Sequence, residues 1–418
     1  MEQLVVANNW NGPRFNTFLC KIASRCNLNC SYCYMYQHAD QSWRRRPVVM
    51  SEQVVNAFVK RLADYTNAVE LESVTVLLHG GEPLLAGEDR LVDFVVKIRD
   101  ALSNVPKLKF AMQTNGTLLN ERWLAVIAQH EIDFGVSLDG DEAANDRARL
   151  DHGGRSSHQR VADTLRMISE SPEIQRRRFQ GILAVMDVRN DPLHTYNALK
   201  QYHPPKLDFL FPEGTHDVPP PFLRSGDHGT TPYADWLIPI FDEWFLSDDG
   251  PRIRLFENLL DVLLSGRSQT EGTGDGSLNL LTIETDGEIE DVDLLKTSYP
   301  GAGAILGGAH APANVASHSF MELAESEEVK ARHRLHTYAG LCATCQQCPA
   351  VRACGGGFLA HRWSLARNFD NPSIYCRDLY KLIRHISNAV GGSVVSLEKL
   401  GAISRGLAPL REEVCHSA

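Results

Sequence analysis

The cysteines are the feature that most restricts the fold of this 418-residue chain, because eight of the ten fall into two groups. Three lie near the N-terminus, at Cys26, Cys30 and Cys33, and five lie between residues 342 and 376. The chain between residues 33 and 342 has none. Short cysteine spacings at both ends predict two metal sites. Cys20 and Cys415 stand apart, and we interpret Cys20 as a buried apolar residue and Cys415 as part of a polar tail.

The charge and hydrophobicity of the chain limit the classes of partner that it can bind. The net charge of −10 argues against a general nucleic-acid binder, which needs a surplus of lysine and arginine to neutralise phosphates. The run Arg44–Arg46 is a local exception, which we interpret as a solvated turn. The chain shows neither a signal-peptide pattern nor an apolar run approaching the roughly 18 residues that cross a bilayer. We therefore expect a cytoplasmic protein with reduced cysteines, no nucleic-acid partner and no membrane partner.

Between the cysteine groups, β-rich runs alternate with helical periodicity. The predicted strands are Phe15–Ile22, Val74–His79, Lys107–Gln113, Phe134–Leu138, Gln180–Met186 and Leu207–Phe211. The predicted helices between them include Glu52–Tyr65, Arg90–Leu102, Glu121–Gln129 and Val161–Ser169. Six βα repeats predict parallel strands with right-handed crossovers, in a partial barrel or an open doubly wound sheet. Further helices are predicted over Pro232–Leu246 and Ile253–Leu264, and a hairpin over Ser277–Glu290.

The N-terminal cysteines follow the first predicted strand with spacings of three and two residues. Three thiolates in such a loop can hold three irons of a [4Fe–4S] cluster, leaving the fourth iron open to chelate the amino and carboxylate groups of S-adenosylmethionine (SAM). The alternative is a structural zinc loop, but zinc prefers four ligands, and His38 is the one further candidate nearby.

This spacing, with the aromatic Tyr32 directly before the third cysteine, resembles that of the radical SAM superfamily. The resemblance continues in His79-Gly80-Gly81-Glu82-Pro83 after the second strand, which is similar to the family's GGE motif. It also extends to the ends of strands three and four and to Asn145-Asp146-x-x-Arg149. Active sites of barrel-like folds form at such strand ends.

The resemblance implies particular SAM contacts. The Gly-Gly-Glu segment would bind the amino group, and Asn115 and Ser137 would face the ribose or methionyl part. Arg149 would pair with the carboxylate, and Leu183 would contact the adenine. The implied cofactor-binding residues are Tyr32, Gly80, Gly81, Glu82, Asn115, Ser137, Arg149 and Leu183.

The C-terminal cysteines resemble the SPASM extension of radical SAM enzymes that mature peptides and proteins. The full SPASM pattern has seven cysteines and two auxiliary clusters, but here Phe358 and Val292 stand where two of those cysteines would be. The retained residues imply one auxiliary [4Fe–4S] cluster ligated by Cys345, Cys348, Cys354 and Cys376. Cys342 is an alternative to Cys345 as a ligand, or a bystander.

Together these features imply an α/β fold, with a partial (β/α)6 TIM-like radical SAM barrel and a C-terminal SPASM-like iron–sulfur domain. We expect the barrel over residues 1–225, bridging helices over 226–275, the SPASM-like domain over 276–390 and a helical tail over 391–418.

Asp293 is the predicted catalytic residue. It is similar in position to an aspartate that follows the hairpin cysteine in sulfatase-maturing relatives and acts as a base toward the substrate. A carboxylate near the substrate can accept the proton that is lost when a new bond forms at an aromatic ring. The alternative is a surface aspartate at a hairpin end.

The stretch Ser24–Tyr36, with the single auxiliary cluster and Cys354-Gly355-Gly356-Gly357, resembles the cyclophane-forming radical SAM/SPASM maturases. The resemblance implies a ribosomally made precursor peptide as substrate and an electron donor such as flavodoxin or ferredoxin. The expected reaction joins an aromatic ring carbon to the Cβ of a nearby residue. The alternatives are a formylglycine-forming maturase, a thioether-forming maturase and a non-catalytic electron carrier or binding scaffold.

Overall fold

The computed structural model describes residues 13–223, 229–247, 249–268, 270–274, 279–306 and 312–391. Its centre is a sheet whose first six strands pair in sequence order and in parallel. These strands are β1 Thr17–Ala23, β2 Ser73–Gly80, β3 Lys107–Thr114, β4 Ile132–Ser137, β5 Phe179–Val185 and β6 Lys206–Leu210. Each overlaps a strand predicted from the sequence, so the α/β prediction with a parallel sheet is confirmed.

Three short strands extend the sheet at both edges. β7 (Arg252–Ile253) pairs with β6, β8 (Leu280–Ile283) pairs in parallel with β1, and β9 (Ile289–Glu290) pairs antiparallel with β8. The β8–β9 hairpin was predicted, and Gly287 takes a positive φ of 83° in its turn. Through β8, the C-terminal part of the chain joins the sheet of the N-terminal part.

Helices connect and cover the strands. The longer ones are α1 Glu52–Val69, α2 Glu88–Ala101, α3 Glu121–Gln129, α5 His158–Ser169, α7 Pro192–Lys200, α8 Pro232–Leu246, α9 Arg254–Leu263, α11 Glu327–Leu335 and α14 Cys376–Gly391. The shorter ones are α4 Glu142–Asn145, α6 Pro172–Arg177, α10 Phe320–Glu325, α12 Ala343–Gln346 and α13 Val351–Cys354. The predicted tail over 391–418 lies outside the described residues after Gly391.

Local sequence signals explain these bounds. Ser51 caps α1 by accepting a hydrogen bond from the Val54 amide, and Asn120 caps α3 in the same way through Trp123. In β2, alternate residues are buried under the helices, and the residues between them are half-buried and point to the other face of the sheet. Cys20 is fully buried in β1, as predicted. No helix of the described residues is both long and apolar enough to cross a membrane.

Candidate active site

A cavity of about 240 Å³ lies at the carboxyl ends of the barrel strands. Residues at or just after the ends of all six parallel strands line it, as expected for a barrel-like α/β fold. Its walls include Cys26, Cys30, Cys33, Tyr32, Gly80, Gly81, Asn115, Ser137, Arg149 and Leu183. The cavity thus brings together the N-terminal cysteines and seven of the eight implied SAM contacts.

The cysteine loop is held by its backbone. The Asn29 amide donates to the Leu150 carbonyl at 2.8 Å, and the Ser31 amide donates to the Ala148 carbonyl at 3.0 Å. Burial raises the pKa of Cys26 to about 12 and that of Cys33 to about 11. These thiols therefore need a bound cation to become thiolates, and iron provides that charge. The donor set fits a cluster.

Gly80, the last residue of β2, and Gly81, which follows it, allow the chain to approach this loop closely. A Cβ on Gly81 would lie 2.3 Å from the Arg25 carbonyl oxygen, and one on Gly80 would lie 1.9 Å from that of Ala23. Gly80 also has a positive φ of 146°. A side chain at either position would displace the loop that carries the cysteines.

Glu82 is the one implied SAM contact that does not line the cavity. Its carboxylate is fully buried and accepts hydrogen bonds from the Thr114 hydroxyl at 2.7 Å and from the backbone N–H of Asn115 at 2.8 Å. Burial raises its pKa to about 7, although these hydrogen bonds favour the charged form. In this structure the side chain of Glu82 therefore ties the end of β2 to the end of β3.

Tyr32 links two charged residues at the cavity wall. Its hydroxyl donates to Asp139 at 2.7 Å and accepts from an Nη of Arg149 at 2.7 Å. Arg149 is buried, and its Nε has no hydrogen-bond partner among the described residues. A buried donor without a partner is costly, so the arginine is suited to a ligand that can accept from it, such as a carboxylate. Asp139 was not among the predicted site residues. Its position just after β4, at the end of a parallel strand, is the sequence signal that could have identified it.

The remaining polar wall is built from side chains that hold one another. The side-chain amide nitrogen of Asn115 donates to the Asn27 side-chain oxygen at 2.8 Å and lies 3.6 Å from the sulfur of Cys26. The side-chain amide of Gln113 donates to the Ser137 hydroxyl at 2.9 Å. These contacts fix the side chains before any ligand binds.

Asp293 lies just behind this cavity, at the start of a 3-10 turn over Asp293–Thr297. It accepts a hydrogen bond from the hydroxyl of Tyr34, which lines the cavity, and its carboxylate lies 3.3 Å from the Lys21 ammonium. Burial acts to raise the pKa of Asp293, but Lys21, His79 and the Tyr34 hydrogen bond bring it below its ordinary value. Asp293 is buried, so the alternative of a surface aspartate is wrong.

Lys21 was not predicted, although a lysine inside the apolar run of β1 is a readable signal. It is fully buried and also contacts Glu284 at 3.2 Å. Lys296 lies 3.1 Å from the same carboxylate and pairs with Glu290. Asp293 therefore belongs to a buried charge network that joins β1 to the hairpin.

The prediction of a solvated turn at Arg44–Arg46 is wrong for Arg46. This side chain is 5% exposed and binds Asp286, Glu288 and Glu290 at 2.7, 2.9 and 2.6 Å. Arg44, by contrast, is exposed. The hairpin carboxylates lie some 240 residues later in the chain, so a local sequence pattern could not identify them as partners.

The C-terminal cysteines line a second, smaller cavity of about 60 Å³, which contains Cys345, Cys348, Cys354 and Cys376. Burial raises the pKa of Cys345 to about 12 and that of Cys354 to about 11. Cys342 is buried beside Cys345 but is not part of the cavity wall. The four cysteines chosen from the sequence therefore meet around one space.

Arg362 was also missed by sequence reasoning. It is buried, its Nη2 donates to the Leu335 carbonyl at 2.9 Å, and its charge interacts with Cys345 and Cys342. Burial lowers its pKa, whereas thiolates nearby would raise it.

The described segments contain no group of three or more His, Cys, Asp or Glu side chains placed to hold a single metal ion.

Known proteins resemble both the sequence and the fold. Residues 20–172 match the family model of the radical SAM superfamily. A cysteine-type anaerobic sulfatase-maturating enzyme of Clostridium perfringens is 24% identical over 380 residues, covering 87% of this chain and 94% of the relative. A serine-type enzyme of Bacteroides thetaiotaomicron is 23% identical over 387 residues, covering 88% of each chain.

Solved structures share the fold. Native anSMEcpe with bound AdoMet and a peptide superposes with a TM-score of 0.73 at 22% identity, covering 92% of this chain and 99% of that one. Streptococcus suis SuiB bound to S-adenosylmethionine gives 0.54 at 13% identity, covering 83% and 74%. The predicted SAM and [4Fe–4S] cofactors agree with the matched family, and the cavity supplies the side chains for them. Residues 20–172 thus match the radical SAM superfamily, and the chain shares its fold with the solved structures named above.

Proposed function

We propose that the chain matures a ribosomally made precursor peptide by joining an aromatic ring carbon to the Cβ of a nearby residue. The observation that carries this proposal is the wall around Phe358. Phe358 lines a cavity, and none of the described residues that line this cavity is a cysteine, although the SPASM pattern has a second auxiliary cluster there. A formylglycine-forming enzyme with the full SPASM pattern would carry both auxiliary clusters, whereas this chain has the cysteines for one. We also propose a cytoplasmic location.

The N-terminal cavity would hold the cofactors. Cys26, Cys30 and Cys33 are the proposed cluster ligands, and the seven other predicted residues of the wall are the proposed SAM contacts. When bound, the cluster and SAM supply a radical that removes a hydrogen atom from the substrate. Arg149 would donate to the SAM carboxylate, and the glycines would keep the two loops close together.

Asp293 and Tyr34 would handle the proton. The substrate loses a hydrogen atom from Cβ, this carbon bonds to the ring carbon, and the ring then releases one electron and one proton. Tyr34 lines the cavity and already donates to Asp293, so it can pass a proton inward. Because its pKa lies below the ordinary value, the Asp293 carboxylate is charged at neutral pH and can accept a proton through Tyr34.

The second cysteine group would hold an auxiliary cluster with all four irons ligated by Cys345, Cys348, Cys354 and Cys376. Such a cluster offers no open iron, so its proposed role is electron transfer or structure. When bound, it would be able to accept the electron lost by the ring, and a flavodoxin or ferredoxin would serve as the external redox partner.

A second candidate is the oxidation of a cysteine or serine to formylglycine. The sequence similarity favours this reaction, since the sulfatase-maturating relatives align over 87–88% of the chain. It also needs hydrogen removal followed by loss of an electron and a proton, so the Tyr34–Asp293 pair would serve both reactions.

One experiment separates these candidates. The chain is co-expressed with a short peptide encoded beside its gene, and the peptide is examined by tandem mass spectrometry. A crosslink removes two hydrogens, suppresses fragmentation inside the ring and leaves the product inert to hydrazide. A formylglycine is an aldehyde and reacts with hydrazide. A thioether requires a cysteine at the linkage. Absence of any product together with absence of 5′-deoxyadenosine would favour the scaffold alternative.

A further inference from the structure

A third cavity, larger than the two lined by cysteines, opens beside the candidate active site. Its volume is about 510 Å³, and it shares Leu210 and Phe211 with the cysteine-lined cavity. Volumes of this size are typical of ligand pockets. Phe358, which stands in place of a SPASM cysteine, forms part of its wall. Gly272 leaves room for this ring, because a Cβ there would lie 2.7 Å from it.

Among the described residues, the charged side chains of the wall are paired, with one exception. Asp208 accepts from Arg254 at 2.7 Å, and His361 lies 2.9 Å from Glu213. Glu271 lines the cavity but makes no hydrogen bond or ion pair with any residue that the structure describes. The cavity therefore contains a carboxylate whose charge none of the described residues balances by direct contact.

The surroundings make this carboxylate expensive to ionise. Burial raises the pKa of Glu271 to about 8, and the charges of Asp291, Asp293 and Glu213 act in the same direction. Arg254 acts in the opposite direction, but it already pairs with Asp208. A ligand that brings a positive charge would relieve this cost.

Aromatic rings complete the wall. Phe211, Phe358 and Tyr375 all line the cavity, and Phe211 and Tyr375 pack with ring centroids 4.6 Å apart. Aromatic faces attract cations and the apolar stems of long basic side chains. A planar guanidinium can stack on such rings while it donates two hydrogen bonds to a carboxylate.

We propose that this cavity binds a cationic side chain of the substrate peptide, with arginine as the best match, and that Glu271 recognises its charge. The inference rests on the proposed function in that the substrate is a peptide. Since the two cavities share Leu210 and Phe211, a side chain anchored here would fix which residue of the peptide reaches the reaction site.

The test uses two probes of equal shape. N-acetyl-arginine amide is charged, and N-acetyl-citrulline amide is its neutral counterpart. Both are titrated anaerobically into reconstituted holoenzyme saturated with SAM, and binding is followed by ligand-observed NMR. We expect millimolar affinity, with the arginine probe binding about tenfold more tightly than the citrulline probe. Glu271→Gln should reduce this preference to about twofold or less.

Matched variants keep the result interpretable. Glu325→Gln removes an exposed carboxylate at the end of α10 and should leave the preference unchanged. Phe358→Leu should weaken both probes while retaining the preference, because it removes ring contact but not charge. Iron content and melting temperature verify that each variant folds.

Equal binding of the two probes to the unmodified enzyme, or a full arginine preference in Glu271→Gln, would overturn the inference. The binding assay needs no turnover. An enzyme that binds arginine through Glu271 but modifies no peptide would contradict the proposed function alone. One that crosslinks a peptide without this preference would contradict the cavity assignment alone.

Discussion

The two cysteine groups enclose very different spaces. The N-terminal group faces a cavity of about 240 Å³ whose wall also carries glycines, an arginine and strand-end polar residues. The C-terminal group surrounds about 60 Å³, and four of the nine residues that line this space are cysteines. An open site with three thiols leaves room for a reactant, whereas a closed site with four is complete once its metal is bound. The contrast agrees with the two proposed roles, which are a reaction site at the N-terminal group and electron transfer or structural support at the C-terminal group.

The largest effect on activity is expected from changes in the N-terminal cysteine group. Changing Cys26, Cys30 and Cys33 together to Ala should abolish 5′-deoxyadenosine formation and lower iron from about eight to about four per chain. Anaerobic reconstitution, iron analysis and liquid chromatography of the nucleoside measure both. Cys20→Ala, in the buried strand, is the control and should keep its iron. Deoxyadenosine made by the triple variant would show that the cavity is not the SAM-cleaving site.

Loss of a ligand from the C-terminal cysteine group should lower the stability of the protein. Cys376→Ala removes a proposed ligand at the start of α14, so we expect loss of about four irons and a melting temperature about 5 °C lower. Cys342→Ala should change either quantity only slightly. The reverse pattern, with iron lost from Cys342→Ala but not from Cys345→Ala, would make Cys342 the ligand.

Arg46 connects the segment after the N-terminal cysteine group to the β8–β9 hairpin, which directly precedes the catalytic candidate Asp293. Arg46→Met should destabilise the protein by about 3 kcal/mol, because it leaves buried carboxylates without a partner. Arg44→Ala, at an exposed position two residues earlier, should cost less than about 0.5 kcal/mol. Urea unfolding of the two variants measures the difference, and equal losses would mean that the buried network does not stabilise the fold.

Asp293 should produce a smaller and more selective effect. Asp293→Asn keeps the size of the side chain but removes the base, so crosslinked product should fall about tenfold, equivalent to about 1.4 kcal/mol in barrier. Formation of 5′-deoxyadenosine should continue, because hydrogen abstraction needs no protein base. Normal product yield would assign the proton to water or to another carboxylate such as Asp291.

The pH dependence sharpens this prediction. The folded-state pKa of Asp293 is lowered, so its carboxylate stays ionised as the pH falls from 8 to 6. Its contribution to stability is present above the unfolded pKa of about 3.9 and is lost as the pH falls through the lower folded value. Product formed per deoxyadenosine should therefore be flat between pH 6 and 8. A rise with a midpoint near 7 would indicate a different base.

The sequence by itself determined the βα alternation, the six barrel strands and the two cysteine groups. Periodicity and spacing are local properties, and the hydrophobic positions of Thr17–Ala23 or Ser73–Gly80 admit few alternatives to a buried strand. It also identified the residues at the strand ends, because parallel strands bring those ends to one edge of the sheet.

The tertiary structure decided what depends on contacts between distant segments. Arg46 meets the hairpin, Tyr34 and Lys21 meet Asp293, and the side chain of Glu82 turns away from the cavity to bind the end of β3. The tertiary structure also decided that Phe358 lines a cavity in which Glu271 has no hydrogen-bond or ion-pair partner among the described residues. Charges become buried and pKa values shift only when the packed chain excludes water around them, and no single segment of sequence contains that information.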